Sequence, residues 1–162
     1  MRINLTSLFF LLAFVGGCVS DPSHQAMDNR VTPIRLSVLP RLGSRFQPGI
    51  RTDHLEMTSS GSLDPAYWAM LNGTNFVVAV SQDNLVRYLA TTDARFSTPE
   101  GIHVGSSLSS VLAAGAAPLM AEPGWGFHTL LPSRWSVAFT NGVGFSDPPL
   151  PEDAKVVWIF QR

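Results

Sequence analysis

The longest unbroken apolar stretch of this 162-residue chain comes first, and everything after it alternates only in short pieces. From Ile3 to Phe14 no charge interrupts a run holding Leu5, Leu8, Phe9, Phe10, Leu11, Leu12 and Phe14, and Gly16 and Gly17 close it. Such a run falls short of the roughly 20 apolar residues that a bilayer-crossing helix needs. With Arg2 before it and small residues after it, it reads as a cleaved export signal. From Val19 to Thr32 neither a helical nor a strand period is present, which predicts a flexible tether.

Ile34 to Leu39 alternates apolar and polar residues, as a half-buried strand does. The stretch Leu42 to Gly61, rich in Gly, Pro, Ser and Thr, reads as irregular. Asn72-Gly73 marks a turn. Beyond it, Phe76 to Val80 and Leu85 to Leu89 flank the polar Ser81-Gln82-Asp83-Asn84, a hairpin pattern. Thr98-Pro99-Glu100-Gly101 has the residue order of a type I turn, and a short strand is expected at Ile102 to Val104.

Ser106 or Ser107 can cap a helix by accepting a hydrogen bond from an open N–H of its first turn. Leu108, Val111 and Leu112 then share one face at i, i+3 and i+4, and Gly115 with Pro118 stops the helix. Three more strands are expected at Trp125 to Leu130, Arg134 to Thr140 and Lys155 to Phe160. The last is apolar enough to lie inside a sheet. The pattern predicts an α+β fold: a mainly antiparallel sheet with one short amphipathic helix packed on it. Phe76 to Leu89 and Trp135 to Phe160 share a strand, loop, strand order, which fits either two tandem copies or one meander.

Composition adds exclusions. With 45% hydrophobic and 14% charged residues the chain can bury a core, and its length suits one domain. Its net charge of -1, with no Lys/Arg block, argues against nucleic acid as a partner. A single cysteine cannot form an internal disulfide.

That cysteine, Cys18, directly follows Val15-Gly16-Gly17. The tetrapeptide, behind the apolar run, resembles the lipobox of bacterial lipoproteins. The resemblance implies cleavage before Cys18, a diacylglycerol on its thiol and a further acyl chain, such as palmitate, on its amino group. Each buried CH₂ contributes roughly 0.8 kcal/mol, and more than one chain is needed for a stable anchor. Val19 is not Asp, which in that family favours the outer membrane facing the periplasm in a Gram-negative host. The expected organisation is a signal peptide over 1–17, a lipid-anchored tether over 18–33 and a single domain over 34–162.

The segment Thr98 to Val111, with Gly105-Ser106 ahead of the helix and Gly115 to Pro118 behind it, is similar to the helix start of SmpA/OmlA-like lipoproteins and of β-lactamase-inhibitor-like domains. In those families a helix on an antiparallel sheet serves as a scaffold for binding proteins.

Catalytic signatures are sparse. His24, His54, His103 and His128 are scattered, no zinc spacing occurs, and neither a nucleophile elbow nor a phosphate-binding glycine loop is present. No metal, cofactor or catalytic residue is assigned. The best candidate binding surface is Trp125, Phe127, His128, Arg134 and Trp135, because Trp and Arg combine contact area with hydrogen-bond donors. Against it stands the weightier reading that Trp125, Trp135 and Trp158 pack one core. The chain therefore reads as a lipid-anchored envelope protein, a non-catalytic binding or assembly module contacting an envelope protein or the cell wall. The competing readings are a periplasmic enzyme of unrecognised type, or a secreted inhibitor-like protein if Cys18 carries no lipid.

Overall fold

The computed structural model describes residues 32–52, 54–59, 61–139, 150–151 and 153–162. The signal, Cys18 and nearly all of the tether lie outside the described residues, as does the 140–149 stretch. The strands are β1 (Ile34–Leu36), β2 (Leu55–Ser59), β3 (Ser62–Leu71), β4 (Thr74–Val80) and β5 (Val86–Thr91), then, after the helix α1 (Leu108–Ala113), β6 (Met120–Glu122), β7 (Gly126–Leu130), β8 (Ser136–Ala138) and β9 (Trp158–Gln161).

All nine strands join one sheet in the order β1-β3-β4-β5-β9-β8-β7-β6, with β2 paired to β3. Two meanders, β3-β4-β5 and β6-β7-β8-β9, meet where β5 pairs antiparallel with β9. The nearly continuous apolar strand Trp158–Gln161 therefore lies between β5 and β8, with its Trp158, Ile159 and Phe160 all buried.

The expected α+β fold is not what forms. Among the described residues the chain is mostly β, a nine-stranded mixed sheet with a single six-residue helix. The sheet is mixed because β1 runs parallel to β3, with Ile34 opposite Ala69. The helix cannot act as a layer: only Leu108 and Val111 are buried, and Leu112 is half exposed. Ser107 caps it, accepting from the Ser110 N–H, and Gly115 at φ 79 ends it within two turns.

Other boundaries also shift. β3 was hidden because Asp64 and Pro65, both poor strand formers, sit in its first half. Those residues pair outward with β2, where Pro65 needs no N–H for the next strand. The expected strand at 102–104 is only an isolated bridge between Ser97 and His103. At the Asn72-Gly73 turn both residues have positive φ, 51 and 82, as a two-residue hairpin of type I′ demands.

Strand alternation divides the apolar residues between the two faces of the sheet. Phe76, Val78, Leu89, Val137 and Ile159 point to one face, where Ile102, Leu108, Val111 and Trp135 cover them. Ala79, Tyr88, Ala90, Ala138, Trp158 and Phe160 point to the other, beneath Trp125 and Met57. Val86 reaches the first face through a bulge: Val80 pairs with Val86 and Ala79 with Tyr88, so Arg87 has no counterpart. Each fully buried Val, Leu, Ile or Phe side chain stabilises by roughly 1.5–3 kcal/mol, so both faces contribute.

Candidate functional site

The β6–β8 end of the sheet holds all five residues singled out for binding, but it does not present them as one surface. Trp125 and His128 are each 2% exposed and Trp135 is 7% exposed. Trp135 packs on the first face against Phe96, while Trp125 and Trp158 pack on the second, so the three tryptophans occupy two cores. Phe127 is half-buried in β7, and Arg134 is exposed in the β7–β8 turn. The structure thus brings Trp125 close to His128 and separates both from Trp135.

On the second face these residues form an aromatic nest with a polar lid. Trp125 packs edge-on against Tyr88, at 5.6 Å between ring centres, and lies 5.1 Å from Phe160. The guanidinium of Arg162 sits over the Trp125 ring at 4.2 Å and donates to both carboxylate oxygens of Glu122. Charge over an aromatic face stabilises by about 0.5–2 kcal/mol. The Trp125 indole N–H is buried without a hydrogen-bond partner among the described residues.

His128 Nε2 lies 3.9 Å from Glu122 Oε2 and Nδ1 3.4 Å from the Gly126 carbonyl. Burial holds its pKa below the ordinary imidazole value; the Gly126 carbonyl and Glu122 oppose that shift and Arg162 reinforces it. Burial raises the Tyr88 phenol far above its usual range, and Glu56 adds to the effect. Both groups are therefore neutral at pH 7 and serve packing.

Two other polar groupings are structural as well. Ser106 Oγ is 3.3 Å from His103 Nδ1, but it also accepts from the His103 backbone N–H, bracing the loop ahead of α1. Glu100 is pushed up by burial, yet the Ser133 N–H and Oγ–H that it accepts outweigh this and bring its pKa below the usual range. Among the described residues no group of three or more His, Cys, Asp or Glu side chains converges, and no helix is long and apolar enough to cross a membrane.

What the site does present is an edge. β6 ends the sheet, and among the described residues no strand lies on its outer side. Leu119 is 36% exposed and Met120 49%, and Leu130 beside them on β7 is 41% exposed. Natural edge strands are usually guarded by charge, bulge or cover. Here the strand is only three residues long, ends in Glu122 and lies between Pro118 and Pro123, so it carries several of these guards while still exposing Leu119 and Met120. At the 117 end, a shallow depression of about 480 Å³ is lined by Gly115, Ala117, Leu130, Leu131, Pro132 and Arg134. Arg134 is at φ 68, a left-handed conformation that costs a non-glycine residue roughly 1–2 kcal/mol. Sequence reasoning flagged Arg134 but missed β6, because a three-residue strand between prolines has no period to detect.

The described residues form a mostly β domain whose β6 end exposes Leu119, Met120 and Leu130. No family model matches the chain, and no curated protein matches it. Among solved structures it is similar to the uncharacterized protein yfeY from Escherichia coli, with a TM-score of 0.47 and 14% identity over 67% of this chain and 78% of that one. No conclusion about fold or function rests on a likeness at that level.

Proposed function

We propose that this chain is a lipid-anchored exported protein of the cell envelope whose β domain works as a non-catalytic binding or assembly module. Its address rests on the Val15-Gly16-Gly17-Cys18 pattern behind an apolar signal, with the outer membrane facing the periplasm as the site in a Gram-negative host. The observation that supports the binding role is the exposed apolar cluster of Leu119, Met120 and Leu130 at the β6 end of the sheet, where no strand lies outside β6 among the described residues. An envelope protein suits such an edge better than the cell wall, because strand pairing requires a second polypeptide.

Two measurements test the reading. Wild-type protein grown with labelled palmitate takes up label and fractionates with membranes, and Cys18→Ser abolishes both. Intact mass spectrometry showing a free Cys18 thiol, or a retained Met1, would remove the anchor. For the binding role, crosslinking in intact envelopes from a photoreactive residue at position 120 should yield a discrete adduct, lost when Ala121 is changed to Pro.

A further inference from the structure

We infer that the end of the sheet where β4 finishes and β5 begins rests on anionic phospholipid headgroups of the membrane in which Cys18 is anchored, with Arg41, Arg45 and Arg51 on the phosphates and Leu42 and Ile50 against the bilayer surface. The inference rests on the lipid anchor proposed above and names the side of the domain that faces the membrane.

Charge is divided along the chain. Residues 30–52 hold five arginines and no Asp or Glu, whereas residues 53–162 hold ten acidic residues against five basic ones. The fold gathers the basic part at one end. Gly43 donates to the Val86 carbonyl and Phe46 to the Asn84 carbonyl, both at 2.8 Å, while the Ser44 carbonyl accepts from the Val86 N–H. Those bonds fix Arg41 to Arg45 beside the β4–β5 turn, where Arg45 bridges to Leu85. The next loop starts where Phe46 packs on Tyr67 and ends where the His54 carbonyl accepts from the Ala66 N–H. Ala66 and Tyr67 pair with the last residues of β4, so Ile50 and Arg51 belong to the same end. The three arginines, Leu42 and Ile50 are all exposed. Of the described acidic side chains here, Glu56 lies 3.3 Å from His54 Nε2, Asp64 accepts from Thr58, and the exposed Asp83 is offset by the exposed Arg87.

The anchor approaches from this end as well. Ile34 lies opposite Ala69 in a parallel pair, so the chain ahead of it comes in from the Tyr67 side. Thr32 is fourteen residues beyond Cys18, which keeps it within about 50 Å of the bilayer at full extension. A tether of that reach makes docking intramolecular, so a weak affinity for the surface is enough. Guanidinium groups pair bidentately with phosphate, and each basic residue close to an anionic surface raises partitioning roughly fivefold.

The test uses the lipidated protein purified from envelopes, carrying Ile50→Cys labelled with an environment-sensitive dye and reconstituted in vesicles of phosphatidylcholine, alone or mixed with phosphatidylglycerol. The diacylglycerol on Cys18 leaves position 50 as the reactive thiol. With phosphatidylglycerol the emission should shift to the blue and be quenched by brominated lipid tails. With phosphatidylcholine alone, or in high salt, it should stay that of a dye in water. Arg41→Glu, Arg45→Glu and Arg51→Glu together should lower the docked fraction about tenfold or more with the circular dichroism unchanged, whereas Lys at all three positions should preserve docking. A dye on Ala94→Cys, beyond the opposite end of β5, should stay in water throughout. An unshifted dye on phosphatidylglycerol, an equal shift on both lipids, or a shift that charge reversal leaves unaltered would each overturn the inference. So would a shift in native envelopes that pure lipid fails to reproduce, which would assign this surface to a protein. Mass spectrometry of Cys18 is scored separately: an anchored protein whose position 50 stays in water loses this inference and keeps its anchor, and an unmodified thiol ends both.

Discussion

The two faces of the sheet are closed by different means. The first is a core of aliphatic residues with Phe76, Trp135 and Phe139 under α1 and the loops around Phe96 and Ile102, and its fully buried side chains include no titratable group. The second is narrower: Ala66, Ala79, Ala90 and Ala138 make a flat floor on which Tyr88, Trp125, Trp158 and Phe160 lie, with His128 at the edge. Small residues leave room for large rings, and the rings bring polar atoms that need partners. The comparison teaches that the first face is sealed by area alone. The second depends on the ion pair of Glu122 and Arg162 that roofs it, and that pair is also what pins the open edge β6.

The largest test of this contrast uses neighbours on one strand. Ile159→Ala should cost about 2–5 kcal/mol and Phe160→Ala about 3–5 kcal/mol in urea unfolding, since both are completely buried. In a Trp135→Phe background, which removes the first-face tryptophan, only the Phe160 change should also shift the tryptophan fluorescence, because Trp125 stands on it. Equal spectral change from both variants in that background would mean that the faces are not independent.

Next comes pH. Burial lowers the folded-state pKa of His128 below its value of 6.5 in the unfolded chain, so the unfolded state binds the extra proton first. The contribution of His128 is therefore complete above pH 6.5 and is lost as pH falls from there toward the folded pKa. Denaturation midpoints of the wild type should decline across that window, and His128→Gln should flatten the decline. An unchanged profile would assign the acid sensitivity to another group.

Removing the roof is a smaller change. Arg162→Ala should cost about 1 kcal/mol, the worth of a partly exposed cation over an aromatic ring together with its ion pair. Hydrogen exchange of the Met120 to Glu122 amides should rise, while exchange in β4 should not. Smallest of all, Ser107→Ala should cost about 0.5–1 kcal/mol through loss of the helix cap, measured by thermal melting, with β6 exchange unaffected.

Much of the strand content was legible because alternation and turn chemistry are local. Phe76 to Val80, the polar turn after it and Asn72-Gly73 announce a hairpin without any tertiary information. A helix cap at Ser106 or Ser107 was equally readable, and Ser107 supplies it. Strands β2, β3 and β6 were not, and for particular reasons. β3 carries Pro65 where its partner is an edge strand, and β6 is too short for its pattern to stand out. In the candidate site, residue type singled out Trp125 and Arg134 for binding, yet it could not tell a buried ring from an exposed one.

By itself the sequence determined what depends on near neighbours: an apolar leader ahead of Cys18, the hairpin turns, the helix cap and the apolar strand Trp158–Gln161. Only the tertiary structure decided that β5 and β9 join two meanders and that Trp125 and Trp135 face opposite ways. It also decided that β6 is left at the rim with nothing beside it among the described residues. Which strands pair across long separations is set by the competition of whole faces for burial, and no short window of residues contains that competition.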